Sequence, residues 1–243
     1  IVILGSGDIG LVMARRMSLE GCKVQAVLEI CPFSNGLTRN IVQCLHDYNI
    51  PLYLSHTITK IHGDTRVTGI TVAKVDDKMA PIPGTEFDIE CDTVLLSVGL
   101  IPENELSNGL NLEMAPLTAG PVVDQRRETS LDGFFAAGNV VHVHDLVDFV
   151  SDEAEIAGKY AALKAMGKME GETREVKVSA INGVRTCVPQ KLTMSVENPA
   201  DEKVKLFMRV AAPHRKVKLE IKSGDNVLLS KPLPVAKPSE MIA

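Results

Sequence analysis

IVILGSGDIG, residues 1–10, is the stretch whose reading decides the fold. Four apolar residues, Ile1 to Leu4, spell a buried parallel strand, and Gly5-Ser6-Gly7 breaks it at once. From Asp8 onward DIGLVMARRMSLEG carries helical spacing, with Ile9, Val12, Met13 and Met17 expected on the core side. This is the strand–turn–helix context that a G-x-G-x-x-G sequence needs before it reads as a dinucleotide cradle. Gly5 permits the tight turn, Gly7 admits a pyrophosphate to backbone N–H groups, and Gly10 lets helix and strand approach closely. The helix N-terminus then offers unpaired donors and the positive end of its dipole.

A second strand, 23–29 (KVQAVLE), ends in Glu29, 19 residues past Gly10, where a carboxylate is placed to accept hydrogen bonds from an adenosine ribose. Glu29 would repel a 2′-phosphate and no Arg stands between Ile30 and Thr38, so NAD is expected over NADP. Ser6, Asp8 and Ile9 complete the expected cradle. Asp8 adds a negative charge near the pyrophosphate position, which is expected to lower affinity.

Working outward, 37–48 (LTRNIVQCLHDY) is expected as a helix with Leu37, Ile41, Val42 and Leu45 on one face and Ser34 or Asn35 as its cap. Residues 50–54 make a third strand, completing βαβαβ. Stretches 57–61, 66–75 and 86–90 then alternate as antiparallel strands, and 92–98 returns to a continuous apolar run. The expected class is α/β, Rossmann-like, with an antiparallel β-meander as the last crossover, over residues 1–99. Pro102 keeps the following segment extended. GFFAAGN (133–139) reads as a second apolar strand ending in Gly138 and polar Asn139, again a phosphate-approach design. After a loop over 140–150, Ser151 is expected to cap a helix running to about residue 166, with Asp152 and Glu153 in its first turn. Composition makes 167–171 a linker. Beyond it, 176–180, 203–211, 216–222 and 227–229 alternate, with a turn at Ser223-Gly224-Asp225 and edge-type prolines at 232, 234 and 238. These predict a separate, small all-β module over 174–243.

The totals exclude several classes. A net charge of −5 argues against a nucleic-acid surface. No apolar run approaches the ~20 residues needed to span a bilayer. Five dispersed cysteines (22, 31, 44, 91 and 187) without a C-x-x-C pair read as reduced thiols of a cytoplasmic protein. The chain opens inside a core strand and without Met, so further sequence upstream is expected.

Together, GSGDIG with Glu29, SVGLIPEN (97–104) and TSLDGFFAAGNV (129–140) resemble the pyridine nucleotide–disulfide oxidoreductases, flavoproteins that bind two dinucleotides. The resemblance covers residues 1 to about 167. It implies that 1–99 is the NAD domain and that Gly99 begins the return to an FAD domain, of which 100–168 is the C-terminal part. It makes TSLDGFFAAGNV that domain's second FAD motif. Family members place an Asp after the final Gly to hold the ribityl–phosphate part of FAD, and Asn139 stands there in this chain. The resemblance also turns the helix start, Asp152, Glu153 and Ala154, toward the flavin. The longer run through GNVVHVHDLVDFVSDEAE is similar to flavoprotein subunits that accompany amino-acid or opine oxidases and anaerobic glycerol-3-phosphate dehydrogenases. The family's first FAD motif would precede residue 1, so the chain alone is expected to bind FAD poorly or not at all.

The implied activity is hydride exchange between NAD(H) and FAD. Two alternatives stay open: a non-catalytic NAD-binding or electron-relay subunit of a larger dehydrogenase, and a disulfide or peroxide reductase whose cysteine pair lies upstream. The implied partners are a second oxidoreductase subunit or a second copy of the chain. His142 and His144 are the only catalytic candidates. They read either as a proton relay or substrate contact, or as loop histidines bonded to backbone. H-x-H-D (142–145) holds metal-ligating residue types, but no further ligands lie nearby in sequence and no metal is expected.

Overall fold

The computed structural model describes residues 1–169, 171–196 and 203–243. They form two compact units, Ile1–Gly99 and Leu100–Ala243.

In the first unit, β1 (Val2–Leu4), α1 (Asp8–Leu19), β2 (Ala26–Glu29), α2 (Thr38–Cys44) and β3 (Leu52–Leu54) make the expected βαβαβ run. Strands β4 (His56–His62), β5 (Gly69–Lys74) and β6 (Phe87–Glu90) follow, and β7 (Val94–Leu96) returns to the parallel sheet. That sheet has the order β3-β2-β1-β7, and β4-β5-β6 form the antiparallel meander between its two edges. Ile3 and Val27 face Leu11, Ala14, Cys44 and Leu45 on the helical side. Val2, Ala26 and Leu28 point the other way, onto Ile70, Val72 and Cys91 of the meander side. A parallel sheet covered on both faces needs apolar residues at every strand position, which is why IVIL and AVL show no polar alternation.

Two helical expectations are corrected. The buried face of α1 is Gly10, Leu11 and Ala14, while Ile9 is 74% exposed and Val12 47%. Gly10 fixes this rotation, because a Cβ there would lie 2.8 Å from both Gly5 O and the Ser97 side chain. Apolar spacing alone allowed either phase. Helix α2 is capped at Leu37, not at Ser34 or Asn35, and ends at Cys44 before a 3-10 turn, His46–Tyr48. Its first turn is held by a side chain from α1, as described below.

The second unit contains α3 (Glu105–Gly109), the short pair β8 (Met114–Ala115) and β9 (Gly120–Pro121), and the long α4 (Val147–Ala165). Its C-terminal part contains β10 (Thr173–Lys177), β11 (Val184–Val188), β12 (Lys191–Ser195), β13 (Phe207–Val210), β14 (His214–Ser223) and β15 (Asn226–Ala236). The strand expected at 133–137 does not join a sheet: Phe135 makes one bridge to Glu128, and Ala136 N donates to Arg127 O at 2.9 Å. The stretch is one arm of a tight loop folded on residues 127–129. Helix α4 starts at Val147, four residues before Ser151, because VDFV contains no helix breaker and propagates the turn. Ser151, Asp152 and Glu153 therefore lie in its second turn.

The C-terminal strands pair as β10-β12, β11-β13 and β14-β15, the last a hairpin turned at Gly224 with φ 58°. β11 and β12 had not been read from the sequence. Residues 174–243, expected as a separate module, share one compact unit with 100–168. Val188 packs with Val123 and Val141, and Gln190 exchanges two hydrogen bonds with the Val123 backbone. Gln125 does the same with Thr193. Within the expected linker, Gly167 and Lys168 close the end of α4 by bonds to Lys164 O and Leu163 O, and residue 170 lies outside the described residues.

Candidate functional site

The three glycines of the first turn fall into two kinds. Gly5 has φ +100°, and a Cβ on it would meet Ser97 O at 2.0 Å. Gly5 and Gly10 are thus required by the chain's own packing. Gly7 is not, since the nearest protein atom to a Cβ there is Ser97 O at 4.0 Å. Gly7 is also the N-cap of α1, and no side chain caps that end. The first-turn amides have no intrahelical acceptor. An uncapped helix end over a glycine without a packing role fits a pyrophosphate.

The polar residues around the turn bind one another. Glu29 is 4% exposed. Its carboxylate accepts from Ser6 N at 3.0 Å, from the Ser6 hydroxyl at 2.5 Å and from Cys31 N at 2.9 Å. Of about four lone-pair directions, one is left for a ribose hydroxyl. The Asp8 carboxylate accepts from Leu37 N at 2.8 Å and from the Asn40 amide at 2.7 Å, so it caps α2 from the neighbouring helix. Asn35 N donates to Ser6 Oγ at 3.0 Å. Loop 30–37 is fastened onto the glycine turn by these bonds. Gly5, Ser6, Gly7, Asp8, Ile9, Gly10 and Glu29 are brought together as the sequence predicted.

In the second unit, Gly138 (φ +75°) donates its N–H to Glu153 at 2.9 Å. Asn139, an exposed residue, accepts the His144 N–H through Oδ1 at 3.1 Å. Glu153 is wholly buried. Its carboxylate receives His142 Nε2 at 3.0 Å, His144 Nε2 at 3.1 Å and Arg127 Nη2 at 3.2 Å. The imidazole centroids lie 4.1 Å apart. The sequence had assigned Glu153 to a helix tip; it is the anchor of a buried polar cluster. Asp152 is exposed and pairs with Lys205 at 3.2 Å, and Ala154 is exposed on the same helix. Gly99 (φ +98°) has open space around its Cβ position. Arg127 and Phe207 were missed, since neither carries a local signal tying it to residue 153. The ring of Phe207 lies 5.6 Å from His142 and 5.5 Å from His144.

Burial pushes Glu153 up, but the bonds from His142 and His144 and the Arg127 charge outweigh it and hold the carboxyl far below the usual range. Burial pulls His142 below the ordinary histidine value against the opposing pull of Glu153. Both groups bind protons more readily in the unfolded chain, so stability must fall with pH. The expected result is a loss beginning as pH drops below about 6.5 from His142, steepening below about 4.5 from Glu153. Urea midpoints taken from pH 8 to pH 4 check this, and a flat profile contradicts it. The ligating atoms of His142, His144 and Glu153 lie within 4.8 Å of one another. The Arg127 guanidinium on the same carboxylate repels a cation, and His144 Nδ1 has no partner of the kind a metal-bound imidazole uses. This donor set suits protons rather than a metal.

Cys22, Cys44, Cys91 and Cys187 are free, Cys44 and Cys91 are buried, and burial pushes the Cys187 thiol up to about 11. The sequence pattern of the pyridine nucleotide-disulphide oxidoreductase family matches residues 1–161. The chain belongs to this family. It is 31% identical over 150 residues to an NADH oxidase of Streptococcus pneumoniae, covering 60% of this chain and 30% of that protein. It is 23% identical over 210 residues to the hydrogen cyanide synthase subunit HcnB of Pseudomonas aeruginosa, covering 76% of this chain and 44% of that protein. A crystal structure of T. acidophilum thioredoxin reductase superposes with TM-score 0.58 at 27% identity, covering 68% of this chain and 52% of that one. The chain thus spans less than half the length of these two curated relatives.

Proposed function

We propose that the chain is the pyridine-nucleotide half of an FAD-dependent oxidoreductase that exchanges hydride between NAD(H) and flavin. The open cradle at Gly7 carries this reading. When bound, the two cofactors supply the redox chemistry, and the protein supplies binding and orientation. Gly7 and the first-turn amides of α1 would hold the pyrophosphate, and the last acceptor direction of Glu29 a ribose hydroxyl. The Glu29 charge, with no Arg in 30–38, favours NAD over NADP. On the flavin side the Gly138 amide is committed to Glu153. The donors left for FAD are the amide NH2 of Asn139 and the uncapped start of α4 at Leu146 and Val147, both exposed. These replace Asp152–Ala154 as the proposed contacts.

Calorimetric titration with NADH and NADPH tests the reading. NADH is expected to bind at least ~10-fold tighter, a difference of about 1.4 kcal/mol. Equal affinity would remove Glu29 as the selector. Asp8→Asn keeps the oxygen that accepts from Leu37 and Asn40 but drops the charge. It is expected to leave stability within about 0.5 kcal/mol and to tighten NADH binding roughly 3-fold. Calorimetry beside a thermal melt reads both; weaker binding would mean that Asp8 does not oppose the pyrophosphate.

A second reading, an NAD-binding or electron-relay subunit, is favoured by HcnB being named a subunit. Under it, NADH binds but is oxidised only once a partner chain is added. No helix of the described residues is long and apolar enough to cross a membrane. The dispersed free thiols favour a reducing, cytoplasmic setting.

A further inference from the structure

We propose that the buried, unpartnered Nδ1 of His144 is the proton-accepting end of a proton-exchange site, anchored by Glu153 and Arg127 and packed against Phe207, with Arg209 of the C-terminal strands gripping the loop that carries it. The proposal stands apart from the coenzyme reading. Its ligand class is a small O–H or N–H donor, water included, that hands a proton to Nδ1.

A carboxylate only accepts hydrogen bonds, so both imidazoles that meet Glu153 through Nε2 must carry their proton there. The lone pair is then left on Nδ1. That atom of His144 is buried and has no partner, and neither do Nε and Nη1 of the buried Arg127. Arg127 also holds φ +69°, a backbone conformation unusual for its residue type. Unsatisfied buried atoms and local strain coincide at this cluster, and such features persist where the surrounding structure over-determines them for a task. A donor X–H reaching Nδ1 would break its X–H bond and form N–H. The conjugate base departs, and the new imidazolium is stabilised by Glu153.

The packing and the grip come from residues far along the chain. Phe207 is buried against both imidazoles and Phe149. Arg209 donates to Val143 O at 3.1 Å and to Pro238 O at 3.0 Å, and it ion-pairs with Asp145. Met241 N donates to Asp145 at 2.7 Å. The loop carrying both histidines is therefore gripped by the C-terminal strands. Charged groups around the pair are Arg127 and Glu153 on one side, Arg209 with Asp145 on the loop, and Lys205 with Asp152 on the α4 side.

Imidazole nitrogen NMR on the full chain, 15N-labelled at histidine, tests this directly. Both His142 and His144 are expected as Nε2–H tautomers at pH 8, and a Nδ1–H tautomer at His144 overturns the proposal. Phe207→Leu, which keeps an apolar core residue, is expected to keep the circular dichroism spectrum while raising the His142 titration midpoint toward the free-histidine value by about half a unit or more. An unchanged midpoint in the folded variant denies Phe207 its role. Glu153→Gln, whose amide donates as well as accepts, should switch one imidazole to the other tautomer; if both stay Nε2–H, Glu153 does not set them. Zinc titration is the last arm. Stoichiometric binding that removes both Nε2–H signals would make the cluster a metal site instead, whereas unperturbed signals uphold proton exchange.

Discussion

Gly5→Ala is expected to lower the stability of the Ile1–Gly99 unit by about 3 kcal/mol or more. The left-handed φ of +100° alone costs an alanine about 1–3 kcal/mol. The added methyl also lands 2.0 Å from Ser97 O, a backbone atom that no rotamer change can move aside. Relief requires β1 and β7 to separate at their C-terminal ends, where Ser97 N donates to Leu4 O. Urea unfolding followed by circular dichroism reads the loss. A change under about 1 kcal/mol would mean that the turn has slack the close approach to Ser97 does not show.

The second large effect lies at Glu153. Glu153→Ala removes the acceptor shared by Gly138 N–H, both imidazoles and Arg127, and leaves a buried guanidinium without its counter-charge. Breaking a buried pair in this way costs about 3–5 kcal/mol. Arg127→Leu should cost less, because Glu153 keeps three donors. The double variant Arg127→Leu with Glu153→Ala should cost clearly less than the sum of the two single changes, since it leaves neither charge alone. Thermal or urea unfolding of the four proteins gives the coupling. Strict additivity would show that Arg127 and Glu153 do not stabilise each other.

The parts of this fold that were legible in sequence are those built from local pattern. IVILGSGDIG encodes strand, turn and helix within ten residues, and two of its glycines, Gly5 and Gly10, have a steric reason in the turn itself or in Ser97 across from it. The meander was readable because the period switches to alternation after β3. The rotation of α1 was not, because Gly10 seating on Ser97 decides it and those residues are far apart in sequence. The start of α4 was misplaced because Ser151-Asp152-Glu153 is a plausible cap, whereas the helix needs only an unbroken VDFV to begin earlier. His142 and His144 were singled out as a pair from H-x-H, but their shared setting on Glu153 was hidden. It depends on Arg127, Glu153 and Phe207, three residues spread over some eighty positions with no shared periodicity. The same blindness detached 174–243 as a module, since the Gln125, Gln190 and Arg209 contacts that stitch it to 100–168 are long-range side-chain bonds.

The central claim is that Gly7 is a glycine for the sake of a ligand. NADH calorimetry on the wild type and on Gly7→Ala, beside a thermal melt of each, tests it most directly. The account predicts equal melting points, because the methyl meets nothing closer than 4.0 Å, and an NADH affinity weakened at least ~10-fold by the methyl in the pyrophosphate's place. Equal affinity in the two proteins, or no NADH binding by the wild type, would contradict it.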